Sequence, residues 1–509
     1  MNAPLHREIP AHVLDATAAL AHASARWDGD IVRQITDYIE IPAKSPGFDK
    51  DWAANGFIET VMRNAADWVT AQKVAGLTLE VVRLPGRTPV LFFEIAATAP
   101  ASSTGGSSAS GSQTVLMYGH LDKQPEFTGW RNDLGPWTPK FEDGKLYGRG
   151  GADDGYAVYA SIAAVQALKA QNIPHPRIVG LIETCEESGS YDLLPYVDAL
   201  RDPGNNRLGD VALVICLDSG AGNYDQLWLT TSLRGMASGT LKVEVLTEGV
   251  HSGDASGLVP SSFRVMRQVL DRLEDSATGR LLPASFHCEV PPERLNQAKA
   301  TAAILGDELY KRFPWAHYDC EGATAFALPT TTDPVQALLK RTWEPTLSVT
   351  GAEGFPALKD AGNVLRPYTA FKLSLRLPPL VDAARCVQEM KALLEDNAPY
   401  QAKVTFEHGG GATGWNAPAT APWFEQALNQ ASLAHFGASC GYIGQGGTIP
   451  LMNMLSQGFP KAQMMVCGVL GPKSNAHGPN EFLHVPYAKK LTAAVAQVIA
   501  QLPSSQVIA

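Results

Sequence analysis

Several strand-length apolar runs in this chain end on residues that bind metals. Thr114 to Tyr118 leads into Gly119-His120-Leu121-Asp122. Arg177 to Thr184 leads into Cys185-Glu186-Glu187-Ser188, and Val211 to Leu217 into Asp218-Ser219-Gly220. Late in the chain, Gln463 to Val469 precedes a loop holding Asn475-Ala476-His477-Gly478. Helical patterns separate these runs. Tyr156 to Ala170 is alanine-rich, with Asp154 placed to cap it after Gly151-Ala152-Asp153. Continuous apolar runs alternating with helices specify an α/β domain around a largely parallel sheet, because strands covered on both faces are apolar throughout. In such open sheets ligands collect outside the carboxyl ends of the strands. Polar residues remote in sequence therefore converge on one edge.

His120, Asp153, Glu187, Asp218 and His477 form the converging set. Imidazole plus carboxylate suits zinc, with manganese or cobalt as alternatives. Two imidazoles and three carboxylates make an inventory for two divalent ions sharing a bridging carboxylate, here Asp153. Two such ions ~3.5–4 Å apart clamp an attacking and a developing oxygen, and they bring the pKa of bound water down to about 7. A carboxylate outside the ligand set must then take the water's proton, and Glu186 is the candidate. Asp122, two residues after His120, is placed to orient the imidazole. The reaction class implied is metal-assisted hydrolysis.

A chain of 509 residues exceeds one ordinary domain. The net charge of −10, with no basic cluster, argues against a nucleic-acid partner. Seven dispersed cysteines without a CxxC pair fit a reducing compartment. The Ala16 to Ala25 stretch is broken by His22 and reads as an amphipathic helix, not a secretory leader. No stretch of consecutive apolar residues approaches the ~18 that span a bilayer. The expectation is a cytoplasmic protein with no membrane partner. The segment Thr98 to Gln113 is nearly all Ala, Ser, Gly, Thr and Pro, and is expected to be a surface loop.

The pattern changes near Arg234. Gly239 to Leu246 and Ala370 to Leu377 alternate apolar and polar, as half-exposed strands do, and helices are predicted at Ser262 to Leu273 and Ala383 to Glu395. This reads as a smaller α+β unit inserted into the larger one. The expected boundaries are 1–233 and 412–509 for the catalytic domain and 234–411 for the insert. Within the insert, Leu282 to Pro356 has no clear pattern.

The ordered series GHLDKQP, LYGRGGADD, a strand ending in EES, CLDSG and NAHGPNEFL resembles the carnosinase-like dizinc metallopeptidases. That family, metallopeptidase family twenty, includes cytosolic non-specific dipeptidase, carnosinase, carboxypeptidase G, aminoacylases and succinyl-diaminopimelate desuccinylase. The resemblance runs from about Asp30 to the end. It implies an aminopeptidase-like catalytic domain and an inserted ferredoxin-like lid through which two chains form a homodimer. It implies that His120 and Asp218 bind one metal, Glu187 and His477 the other, and Asp153 both, with Glu186 as general base and a cis Asp153-Asp154 peptide. It also implies that His251, in GVHSGD, reaches a partner's site to stabilise an oxyanion, a role often worth ~3 kcal/mol. Arg376, in KLSLRLPP, would bind a substrate carboxylate, which suits an arginine fork. Asn363, Gly447 and Thr448 would line the substrate pocket.

The chain departs from the family pattern in two places. Gly155-Tyr156 stands where relatives usually have Lys-Gly, and Lys123 stands where many have an apolar residue. The expected activity is hydrolysis of dipeptides or of the C-terminal residue of short peptides by a metal-bridging hydroxide. The alternatives are an N-acyl-amino-acid deacylase, a dimetal phosphoesterase and a catalytically silent binding protein.

Overall fold

The computed structural model describes residues 13–98, 113–320, 323–447 and 450–502. Residues 99–112 of the serine- and glycine-rich segment, and Thr448, lie outside the described residues. In chain order the main elements begin with helices α1 (Ala16–Arg26), α2 (Val32–Ile39) and α3 (Phe57–Ala71). Strands β1 (Leu77–Val82), β2 (Val90–Ile95) and β3 (Gln113–His120) follow, then α4 (Ala157–Ala170), β4 (Arg177–Glu183) and β5 (Asp210–Cys216). Next come β6 (Gly235–Glu244), β7 (Val250–His251), α5 (Ser262–Leu270), β8 (Thr346–Glu353), β9 (Val364–Leu365), β10 (Tyr368–Leu377), α6 (Ala383–Glu395) and β11 (Lys403–Ala412). The chain closes with α7 (Pro422–Phe436), β12 (Gln463–Val466) and α8 (Val485–Ala500).

These elements form two compact units. The first comprises Met1–Thr230, Pro418–Tyr442 and Met454–Ala509, and the second Thr231–Ala417 and Ile443–Asn453. The first unit holds a six-stranded sheet in the order β1-β2-β4-β3-β5-β12. Strands β4, β3, β5 and β12 are parallel, and β2 joins β4 antiparallel with β1 at the edge. The parallel strands are buried almost end to end, as their uninterrupted apolar sequences require. Helices α4 and α8 are buried nearly all round, which is why neither has an amphipathic stripe. Trp27 ties the amino-terminal helices to α8, its Nε1 donating to Thr492 Oγ1 at 3.0 Å.

In the second unit the order β6-α5-β8-β10-α6-β11 folds into an antiparallel sheet with strand order β8-β10-β6-β11. That is the ferredoxin-like arrangement. Alternate residues Ala237, Leu241 and Val243 of β6 and Leu373, Leu375 and Leu377 of β10 face one core. Val265, Met266 and Val269 of α5 and Cys386, Val387 and Met390 of α6 complete it. The stretch Leu282 to Pro356, patternless by sequence, contributes β8 to this sheet and adds helices Pro292–Leu305 and Pro334–Thr342. β8 was illegible because it is an edge strand whose last six residues are exposed, which leaves no alternation to read. Among the described residues, no helix is long and apolar enough to cross a membrane.

Candidate metal centre

Each motif sits where a strand of the first unit gives way to a turn. His120 is the last residue of β3 and is fully buried. Glu186 and Glu187 occupy a single short turn after β4, and Asp218 follows β5. Asp153 lies in the turn Gly151–Gly155 ahead of α4, with non-helical φ −128° and ψ 85°, and its peptide to Asp154 is cis. His477 lies in the loop after β12, in the left-handed region at φ 64°. The turn approaches β3 closely. A Cβ on Gly119 would come within 2.5 Å of the Ala157 Cβ and 2.8 Å of Asp154 Oδ2, so only glycine fits there. The expected Asp154 cap is absent: α4 begins at Ala157 without a side-chain cap. Both Asp154 carboxylate oxygens are buried without a hydrogen-bond partner.

The Asp153 carboxylate spans the centre. Its Oδ1 lies 3.4 Å from His120 Nε2 and its Oδ2 lies 3.0 Å from His477 Nε2. Asp218 Oδ2 is 3.9 Å from His120 Nε2, and Glu187 Oε2 is 3.3 Å from His477 Nε2. These distances pair His120 with Asp218 and His477 with Glu187, with Asp153 facing both. Donor atoms of His120, Asp153 and Glu187 lie within 4.8 Å of one another, as do those of His120, Glu186 and Asp218. Geometry alone therefore counts Glu186 among the donors. Its separate role as a base rests on the family resemblance.

The electrostatics call for cations. Burial, then the neighbouring Asp218, pushes the Glu186 carboxyl well above the usual range. Burial and Asp153 do the same to Glu187, and burial brings Asp218 up to about 7. Burial also acts against the Asp153 charge, but the imidazoles of His120 and His477 facing it outweigh that and hold this carboxyl below the usual range. His120 Nε2 is buried with no hydrogen-bond partner and faces two carboxylates. A cluster of carboxylates crowded around two imidazoles is a donor set that fits divalent metal ions.

Asp122 does more than its spacing suggested. His120 Nδ1 is nearer the Asp122 backbone carbonyl, at 3.1 Å, than its carboxylate, at 3.5 Å. The carboxylate accepts the backbone N–H groups of Glu186 at 3.1 Å and Glu187 at 3.0 Å. It thus fixes the turn that presents both glutamates. Sequence reasoning missed other supports. Gln124 Nε2 donates to Glu187 Oε2 at 2.6 Å. Arg149 pairs with the buried Glu481 and donates to the carbonyls of His477 and Gly478 at 3.1 and 2.9 Å. Glu481 also accepts the Gly150 N–H at 2.9 Å. All three sit inside the motifs GHLDKQP, LYGRGGADD and NAHGPNEFL.

The remaining expected residues belong to the second unit. His251 and Asn363 are brought together there: β7 pairs with β9, with His251 opposite Val364, and Ser252 N donates to Asn363 O at 3.0 Å. Arg376 stands on β10 opposite Thr346 and Met236, on the face away from Leu375 and Leu377. Burial pulls its pKa below the ordinary arginine value. Gly447 follows Gly446, whose carbonyl accepts from Arg234 Nε at 3.4 Å.

Comparison with known proteins agrees with this fold. The profile of Peptidase family M20/M25/M40 matches residues 116–501. The chain is 29% identical over 448 residues to the cysteinylglycine-S-conjugate dipeptidase of Corynebacterium striatum, covering 84% of this chain and 88% of that protein. It is 27% identical over 380 residues to the human (Homo sapiens) Beta-Ala-His dipeptidase, covering 69% and 68% of the two chains. The solved structure of the di-peptidase Dug1p from Saccharomyces cerevisiae superposes with a TM-score of 0.71 at 21% identity, over 97% of this chain and all of that one. A mostly parallel sheet and a ferredoxin-like second unit thus accompany a sequence profile matching most of the chain, and the chain belongs to Peptidase family M20/M25/M40, a family of metallopeptidases.

Proposed function

We propose that this chain hydrolyses the amide bond of dipeptides, or of the C-terminal residue of short peptides. The observation that carries the reading is the Asp153 carboxylate, with one oxygen toward each histidine and Asp218 and Glu187 beside them. Three carboxylates and two imidazoles in this arrangement would hold two divalent ions, zinc first and manganese or cobalt as alternatives. When bound, such ions polarise a carbonyl and bring water's pKa down to about 7.

The chain's own groups handle the rest. Glu186 takes the proton from water and passes it to the leaving amine, so that water and amide become carboxylate and amine. Asp122 keeps Glu186 and Glu187 in place through their backbone N–H groups. By the family resemblance, Arg376 binds the substrate carboxylate, His251 of the partner subunit stabilises the oxyanion in a homodimer, and Asn363, Gly447 and Thr448 line the pocket. The dispersed cysteines support a reducing, cytoplasmic setting.

The test is Glu186→Ala with metal content measured. Near-wild-type turnover with metal bound would end the assigned mechanism. Comparing a dipeptide with its N-acetyl form separates the peptidase from an N-acyl-amino-acid deacylase, which does not need the free amine. Metal uptake with no hydrolysis of any amide would favour a binding protein.

A further inference from the structure

We infer that Lys123 is a positioning residue: a buried cationic pin that holds the loops carrying His120, Asp153 and the two glutamates in register. It lies one residue beyond Asp122. Its side chain is fully buried, and its Nζ donates to the carbonyls of Tyr38, Ile39 and Ile41 at 2.6, 3.3 and 2.7 Å. An ammonium has three donors, and all three are used. The acceptors lie at and just past the carboxyl end of α2, where the helix dipole favours a cation. Nζ also stands 3.8 Å from the Tyr38 ring centroid and 5.3 Å from that of Trp137.

The segment pinned in this way touches the loops that carry His120, Asp153 and the two glutamates. Tyr38 Oη donates to the Leu121 carbonyl at 3.0 Å, next to His120. Ser45 N donates to the Lys123 carbonyl at 3.0 Å. Ser45 Oγ lies 2.5 Å from Ser188 Oγ, which accepts the Gly47 N–H at 2.7 Å, so residues 45–47 brace the glutamate turn. The Asp153 turn is shaped around the same pair. A Cβ on Gly150 would meet the Lys123 stem at 2.8–2.9 Å, and one on Gly155 would meet the Tyr38 ring at 2.2 Å. Lys123 and Gly155 therefore meet at Tyr38.

A lysine that merely stabilises the fold would leave metal binding by the folded protein unchanged, whereas a pin couples the two. The experiment is zinc affinity by chelator competition for wild type and Lys123→Met, well below the melting temperature of each. This rests on the two-metal reading: wild type that takes up no zinc fails that reading, while equal affinity in both proteins fails only the pin. The expected result is an affinity about 10- to 100-fold weaker in Lys123→Met, the range seen when supports of metal ligands are removed. Affinity within twofold of wild type overturns the proposal. If the variant does not fold, hydrogen exchange on wild type decides. Zinc should slow exchange of the Ser45 and Gly47 amides, and unchanged exchange there refutes the coupling.

Discussion

Replacing Asp122 by Asn keeps its size and removes its charge. In the native turn its two oxygens accept the N–H groups of Glu186 and Glu187 at 3.1 and 3.0 Å, in a fully buried position. An Asn amide has one oxygen and one NH2 group, so one of the two N–H groups must face another donor. The loss is one hydrogen bond to a charged group, about 1.5–3 kcal/mol, and the stranded N–H adds a penalty of about 1–3 kcal/mol if water cannot reach it. We expect the folded state to lose about 3 kcal/mol, with the damage centred on the glutamate turn. Because that turn presents both the proposed base and a proposed ligand, turnover should fall about 10- to 100-fold. Denaturant unfolding and steady-state kinetics on a dipeptide, both at saturating zinc, measure the two effects. Turnover within twofold of wild type together with an unchanged unfolding midpoint would show that the Asp122 carboxylate does not hold the turn.

Further expectations follow from other contacts. Burial raises the Glu183 carboxyl to about 8 from 4.5, although Tyr118 and Ser190 donate to it. The native state therefore keeps a proton that the unfolded chain releases, and this contribution to stability is present below pH ~4.5 and lost as pH rises toward ~8. Glu183→Gln cannot ionise, so its stability relative to wild type should rise between pH 5 and 8.5; a constant difference in urea midpoints would contradict the assignment. Gly155→Ala should destabilise the first unit by about 1–3 kcal/mol through overpacking on the Tyr38 ring, read by thermal unfolding. Leu375→Ala, in the core of the second unit, should cost about 2–5 kcal/mol. Hydrogen exchange should localise that loss to β6, β10 and their helices, and loss spread evenly over both units would count against independent cores.

Whether a feature was legible in the sequence depended on how far away its physical cause lay. The parallel strands were readable because burial on both faces is written locally, as in Val211 to Leu217. Asp153 and His477 were readable because each sits in a glycine-bearing turn beside an apolar run. β8 was not readable, since an exposed edge strand carries no alternation. Asp154 misled because a carboxylate two residues before a helix is usually a cap, and its burial becomes visible only once β3 is packed against the turn. Lys123, Arg149 and Glu481 posed a different problem. A buried charge costs several kcal/mol unless it is paired, and all three are buried in the fold. The partners lie 82 to 332 residues away, on other elements. Only the fold could name them. This explains why the donor set was legible when its supports were not: the donors are polar residues at a polar edge, whereas the supports are charges whose meaning depends on a neighbour.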